Sequence, residues 1–442
     1  VKKLLAVILV LVLMLGILTS CGVKSERTPI KGDTRKIIAE KYVDAIFAED
    51  FKALSKFKLT MQMRFNLLLR NQYKKVKQVF TDACGELIQR IDTLETEQGD
   101  YRVVSVAGEF EKTYADINVV FNKNNNIAGI HYLYNRIYED MGEDERLVLI
   151  GKDYPLSGAL AIPESDDLVP AVIIVHGSGP SDRNGASGGN AVYLDIAKQL
   201  YNEGIASLRY DKRTYAYKNM PEGHYDDLTV WEETIDDVVQ AYEILRTQEG
   251  IDPNQIYIAG HSLGGYLIPR IANELPDAAG FIMLAPSASH LEDLIVKQTE
   301  YINNLDGSVS KQEEDALVEI MAIRDNIKTL EANSGYKSYE LFWAPELYWL
   351  DLQDYSPISE MQSEDRPILI IQGGRDYQVD LTEFSMWQDG LGDNENARFV
   401  MIPELNHMLA AGEGLSTPDE YQNLAEVDRR VGEEIADFIL NR

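Results

Sequence analysis

Two hydrophobic patterns divide the chain. From Thr34 to Ala48, the residues Ile37, Ile38, Tyr42, Val43, Ile46 and Phe47 fall on one face of a 3.6-residue repeat, which predicts an amphipathic helix. Asp50 to Phe57 and a segment around Thr81 to Thr93 read as further helices. Period-two alternation follows at Tyr101–Phe110, Lys112–Asn122 and Ile127–Tyr134, with Asn124-Asn125-Asn126 as a turn. Helices followed by an antiparallel meander predict a small α+β domain over residues 33–135. Residues 136–146 are acidic, short of core residues, and read as a linker.

From Leu147 to the end the pattern is βα, which predicts a mostly parallel sheet covered on both faces. Leu147–Ile150 and Leu156–Ile162 read as a hairpin. Apolar runs at Ala171–Val175, Ile205–Tyr210, Ile256–Ala259, Gly280–Leu284, Pro367–Ile371 and Arg398–Ile402 read as buried strands. Ala191–Tyr201 and Trp231–Arg246 read as helices between them. The alternation stops over residues 286–365, an insertion whose length suits a cap over an active site. Within it, Ser310–Ile327 is an amphipathic helix and Tyr336–Tyr355 is dense in aromatic residues. Each ring is read first as part of the cap's own core; together they suit the wall of an apolar pocket. Thr417-Pro418-Asp419-Glu420 reads as the capped start of a final helix, with Val427, Val431, Ile435, Phe438 and Ile439 inward.

Length and charge narrow the class. At 442 residues two folded units are expected. A formal net charge of −30 repels nucleic-acid phosphates and anionic lipid. The chain carries no phosphate-binding loop, dinucleotide fingerprint, His-Glu-x-x-His or Cys-x-x-Cys, so no cofactor and no metal is indicated. Lys2 and Lys3 precede an apolar run from Leu4 to Leu18, too short for a membrane span of about 20 residues. The closing Leu18-Thr19-Ser20-Cys21 resembles the lipobox of bacterial lipoproteins. That resemblance implies removal of residues 1–20, diacylglycerol on the Cys21 sulfur, a tether over 21–32, and anchorage on the outer face of the cytoplasmic membrane. Cys84 is then the one free thiol and reads as a buried structural residue.

The chemistry centres on Gln255–Leu275. An apolar strand runs into Gly260-His261-Ser262-Leu263-Gly264, and apolar residues at helical spacing follow (Leu267, Ile268, Ile271, Ala272). Strand, G-x-S-x-G turn and helix form the context of a nucleophile elbow, which makes Ser262 the candidate nucleophile. A serine needs a base within hydrogen-bond reach and an acid to orient that base. There are six histidines. His131 lies in the small domain, His261 is the elbow's variable position pointing inward, His176 belongs to a Gly-rich loop, and His224 and His290 sit in connections without an orienting acid. His407, directly after the last strand, is the candidate base. Asp376, in Gln372-Gly373-Gly374-Arg375-Asp376 after the preceding strand, is the candidate acid, with Asp380 a weaker choice. Two backbone N–H groups must face the oxyanion. Leu263 supplies one, and Ser178 in His176-Gly177-Ser178-Gly179-Pro180 is the expected second.

Residues from about 147 onward resemble a bacterial esterase branch of the α/β-hydrolases. The resemblance rests on His-Gly-Ser-Gly-Pro followed by Asp182-Arg183, on Arg209-Tyr210-Asp211-Lys212-Arg213, on Gly-His-Ser-Leu-Gly-Gly, and on Gly-Gly-Arg-Asp-Tyr-Gln-Val. It implies a Ser262–His407–Asp376 triad, a covalent acyl-enzyme and hydrolysis of small to medium acyl esters, with the small-molecule ester as partner. The small domain resembles the uncharacterised module, of NTF2-like or cystatin-like kind, that precedes hydrolases in some lipoproteins. A serine peptidase or aminopeptidase, or an acyltransferase, uses the same triad, and Glu340, Glu346 and Asp351 in the cap leave amine recognition open. A non-catalytic binding lipoprotein is the alternative from another class.

Overall fold

A computed structural model describes residues 34–65, 73–218 and 225–441. The first body opens with helices α1 (Thr34–Phe47) and α2 (Tyr73–Cys84). Strands β1 (Leu87–Gln98), β2 (Tyr101–Phe110), β3 (Tyr114–Asn122) and β4 (Ile127–Tyr134) follow as an antiparallel sheet in sequential order. One face of that sheet packs Val104, Ile117 and Phe121 against Tyr42 and Ile46 of α1 and Phe80 of α2. The helix expected over Thr81–Thr93 is corrected here. α2 ends at Cys84, Gly85 turns the chain at φ +88°, and Leu87 onward pairs with β2 down to Gln98–Tyr101. β1 is an edge strand, and Ile88 and Leu94 are exposed on it. No buried face therefore imposes alternation on its sequence, and Leu87, Ile91 and Leu94 mimic helical spacing.

The second body is an eight-stranded sheet in the order β12-β11-β10-β9-β7-β8-β6-β5. These strands are β5 (Glu145–Ile150), β6 (Leu156–Ala161), β7 (Val169–Val175), β8 (Ala206–Tyr210), β9 (Ile251–His261), β10 (Gly280–Leu284), β11 (Ile368–Gly373) and β12 (Ala397–Ile402). β7 to β12 run parallel to one another, while β6 runs antiparallel to β8 and β5 to β6. The principal helices are α3 (Val192–Asn202), α4 (Asp236–Leu245), α5 (Leu263–Tyr266), α6 (Ile268–Glu274), the cap helices α7 (Leu291–Asn303), α8 (Lys311–Lys328) and α9 (Glu346–Leu352), then α10 (Leu381–Leu391) and α11 (Arg429–Leu440). Val192, Ile196 and Leu200 of α3 join Val431, Ile435 and Phe438 of α11 on one face of the sheet. Val238, Ala241 and Leu245 of α4 and Ile271 of α6 cover the other. The strands are consequently apolar on both sides, which is why they read as continuous runs. No helix among the described residues is long and apolar enough to cross a membrane.

The final helix starts later than its sequence suggests. Pro418–Gln422 is a separate 3-10 turn, the Thr417 side chain caps nothing, and Asp428 caps α11 through Arg430 N. Glu420 is drawn elsewhere: its carboxylate accepts from Asn406 Nδ2 at 2.9 Å and Ser416 Oγ at 2.9 Å and pairs with Arg375.

Residues 136–139 fasten the two bodies. Arg136 is buried and donates to Asp195 of α3 (2.7 Å), to Glu139 (2.7 Å) and to Ala425 O (3.1 Å). Asn184 returns from the large body to Arg136 O and Glu139 O.

Candidate active site

β9 occupies the centre of the large sheet, between β7 and β10, and delivers Ser262 at its C-terminal end. Ser262 holds φ 55° and ψ −116°, a left-handed conformation that L-residues adopt only at a cost. Its glycines meet the close approach this turn requires. A Cβ on Gly260 would lie 2.4 Å from Gly264 C, and one on Gly264 would lie 2.7 Å from Val175 O. α5 begins directly behind, at Leu263.

His407 Nε2 stands 3.0 Å from Ser262 Oγ, and His407 Nδ1 stands 2.7 Å from Asp376 Oδ2. With Nδ1–H donating to the carboxylate, Nε2 carries a lone pair that faces the Ser262 hydroxyl. The Asp376 carboxylate is itself fixed. Oδ1 accepts from Gln378 N (2.8 Å) and Val379 N (2.9 Å), and Oδ2 accepts from Gln372 Nε2 (3.1 Å) as well as from His407. Gln372 is buried at the end of β11 and also donates to Val379 O. His407 is held by its backbone: His261 Nε2 donates to His407 O at 2.9 Å, and Asn406 Oδ1 accepts from Met408 N and Ala410 N. Burial drives the His261 pKa down to about 3, so the ring stays neutral and keeps that donor in place.

The loop expected to face the oxyanion, His176 to Pro180, follows β7. Gly177 N–H donates to Tyr193 Oη at 2.8 Å, which removes it as an oxyanion donor. Among the described residues neither Ser178 N–H nor Leu263 N–H is taken by another backbone group or side chain. Both residues line the cavity that holds Ser262 and His407. The loop lies against Ser262, since a Cβ on Gly177 would come within 3.2 Å of Ser262 Cβ. His176 is buried beneath, bonded to Tyr210 O and edge-on to Tyr193 and Tyr210; burial, reinforced by the Lys212 charge, lowers its pKa to about 3.

The cavity measures about 670 Å³ and lies beneath the cap. Leu291 and Ile295 of α7, Ile320 of α8, and Phe342, Trp343 and Tyr348 form much of its wall. Among the described residues, the two carboxylates that line it are already matched. Asp182 accepts from Asn184 N and Ala186 N, and burial raises its pKa to about 6. Glu233 pairs with Lys212 at 3.2 Å. Glu340, Glu346 and Asp351 do not line the cavity. Glu340 accepts from Lys337 N, Glu346 from Ser334 N and Gly335 N, and Asp351 pairs with Arg270.

Other candidates fall outside the site. Asp380 caps α10 through Thr382 N, His290 precedes α7, and His131 lies on β4. Arg183 pairs with Asp211 and Arg213 with Asp237, and none of the four lines the cavity, so these charges are structural ties. Cys84 is buried, and its thiol pKa is pushed up to about 11 by that burial. Cys21 and His224 lie outside the described residues. Sequence reasoning passed over Gln372, Tyr193, Lys212 and the bond from His261 to His407. Tyr193, Lys212 and His261 act through partners remote in the chain, whereas Gln372 bonds Asp376 only four residues on, and its local signal was a polar glutamine closing an apolar strand.

Comparison with known proteins adds to this geometry. Residues 39–130 match a family described as "Protein of unknown function (DUF3887)". Residues 169–325 match the family "Serine aminopeptidase, S33". The chain is 34% identical over 352 residues to esterase EstD of Thermotoga maritima, covering 78% of this chain and 81% of that protein. Among solved structures, Est1E from Butyrivibrio proteoclasticus is 21% identical with a TM-score of 0.43, covering 67% of this chain and 98% of that one. An esterase of Pyrococcus furiosus is 19% identical with a TM-score of 0.42, covering 60% and 84%.

Proposed function

The chain belongs to the α/β-hydrolase esterases and is a carboxylic ester hydrolase; from that premise we propose that it cleaves small to medium acyl esters through an acyl-enzyme on Ser262. The observation that carries the proposal is the unbroken Ser262–His407–Asp376 hydrogen-bond chain, at 3.0 and 2.7 Å, inside an apolar cavity beside two unused N–H groups. Ser262 Oγ attacks the ester carbonyl carbon while its proton passes to His407 Nε2. Negative charge gathers on the carbonyl oxygen, where Ser178 N–H and Leu263 N–H receive it. The C–O bond to the alcohol breaks as His407 returns the proton to the leaving oxygen. Water then repeats the sequence on the acyl-enzyme and frees the acid.

The match to a serine aminopeptidase family keeps an amine-recognising peptidase as the second reading. The carboxylates favour the ester. An amine-binding pocket wants an uncommitted acid, whereas Asp182 and Glu233 have internal partners and the three cap acids face other tasks. We also propose that Cys21 carries a lipid anchor on the outer face of the cytoplasmic membrane; Cys21→Ser should release the protein from membranes, and retention equal to wild type would reject the anchor.

The test of the activity is a series of p-nitrophenyl esters from acetate to palmitate beside aminoacyl nitroanilides, with Ser262→Ala as the blank. Ester turnover that disappears in Ser262→Ala supports the acyl-enzyme, and the chain-length optimum sizes the cavity. Faster nitroanilide cleavage would transfer the assignment to a peptidase. Silence toward every substrate and toward a fluorophosphonate would leave a binding lipoprotein.

A further inference from the structure

A buried cation braces the oxyanion loop from within the protein, between the loop and a carboxylate of the cavity wall, Glu233. Lys212 is 1% exposed, does not line the cavity, and donates from Nζ to Gly177 O at 3.0 Å. Its backbone N–H donates to Ser181 O at 2.9 Å, so the residue grips the loop at two points. Glu233 Oε2 lies 3.2 Å from the ammonium, and Glu233 is held in turn by Tyr348 Oη of α9 (3.2 Å) and Thr214 Oγ1 (3.1 Å).

The carbonyl that Lys212 grips belongs to the same peptide unit as Ser178 N–H. No cis peptide bond occurs among the described residues, so the C=O and N–H of this unit point in opposite directions. We infer that Lys212 is a positioning residue for the ester hydrolysis: its ammonium, bonded to Gly177 O, polarises the Gly177–Ser178 peptide and makes Ser178 N–H a stronger donor to the oxyanion. The inference rests on the assignment of Ser262 as nucleophile and Ser178 as donor.

Hydrogen-bonded chains polarise one another, most strongly where water is excluded. A ground-state ester oxygen carries little charge, whereas the tetrahedral oxygen carries nearly a full one, so the benefit of the cation belongs to the transition state. Glu233, 3.2 Å away, holds the ammonium in place. Through Tyr348 it also connects the oxyanion loop to the cap.

Lys212→Gln and Lys212→Met, made in the full chain, separate polarisation from bracing. With p-nitrophenyl butyrate, kcat should fall about 10- to 100-fold while KM stays within about 3-fold, a fraction of the loss expected for removing a whole donor. A trifluoromethyl ketone provides the second readout. Ser262 Oγ adds to its carbonyl carbon, the proton passes to His407, and the former carbonyl oxygen becomes an anion. Affinity for the ketone should fall with kcat, while the corresponding neutral alcohol binds as before. An unchanged kcat overturns the inference, as does an equal loss of affinity for ketone and alcohol, which is the signature of a mere brace. If the single variants fail to fold because Glu233 is left unpaired, the double variant Lys212→Met, Glu233→Gln leaves no orphan charge and should show the same split. Ser262→Ala made in parallel distinguishes the two levels: turnover surviving there would overturn the nucleophile itself, and this inference with it.

Discussion

An asparagine at 376 keeps the size of the aspartate but presents an amide where His407 Nδ1–H now finds a carboxylate oxygen. The imidazole can then settle with its proton on Nε2, facing Ser262 without a lone pair to offer. Asp376→Asn should lower kcat by about 1,000- to 10,000-fold. The melting temperature should change little, since Oδ1 can still accept from Gln378 N and Val379 N; near-normal turnover would move the acid elsewhere. His176 and His261 make a different prediction. His176 and His261 have pKa values pushed down to about 3 by burial, while an unfolded histidine titrates near 6.5. Between those values the unfolded chain binds more protons. Stability is therefore fully present above about pH 6.5 and drains away as pH falls toward 3, by up to about 1.4 kcal/mol per pH unit for each ring. Urea midpoints at pH 7.5, 5.5 and 4.5 check this, and His176→Gln should flatten the slope by one proton. An identical slope would mean that His176 is charged in the folded chain.

At the scale of the element, glycine positions in strands and turns separate by what a side chain would meet. A methyl group on Gly264 would press into the carbonyls of Val175 and His176 at 2.7 Å, lifting the start of α5 off β7. Gly264→Ala should cost about 3 kcal/mol or prevent folding. On β4, a Cβ at Gly129 would find its nearest neighbour at an ordinary 3.7 Å, so Gly129→Ala should stay within about 0.5 kcal/mol. Chemical denaturation of the pair checks both. α8 carries a full capping box, with Ser310 and Glu313 bonding each other's backbone N–H. That reciprocity is local, and the sequence shows it. The similar letters at Thr417–Glu420 lack it because Glu420 reaches Arg375 and Asn406 instead. A local motif yields when a buried or charged partner elsewhere competes for the same carboxylate.

For the whole molecule, Arg136 is the joint. Its guanidinium satisfies Asp195 inside the large body and Glu139 beside it. Arg136→Ala should destabilise the protein by about 3–5 kcal/mol, because Asp195 stays buried without its cation. Limited proteolysis should then cut within residues 136–144, and thermal unfolding should separate into two steps; a single unchanged transition would show that the bodies are coupled elsewhere. What the sequence by itself determined is whatever the backbone must do locally: the period of each buried strand, the Gly260-x-Ser262-x-Gly264 turn, the return of a strand before Asp376 and His407, and the interruption that becomes the cap. These are readable because two-sided burial and tight turns restrict residue types at neighbouring positions. Only the tertiary structure decided the edge strand β1, the late start of α11, and the commitments of the carboxylates. It also decided the bond from His261 to His407 and the placement of Lys212 behind Gly177. These depend on partners brought together from distant parts of the chain, and no residue's neighbours in sequence record which distant charge or carbonyl it will face.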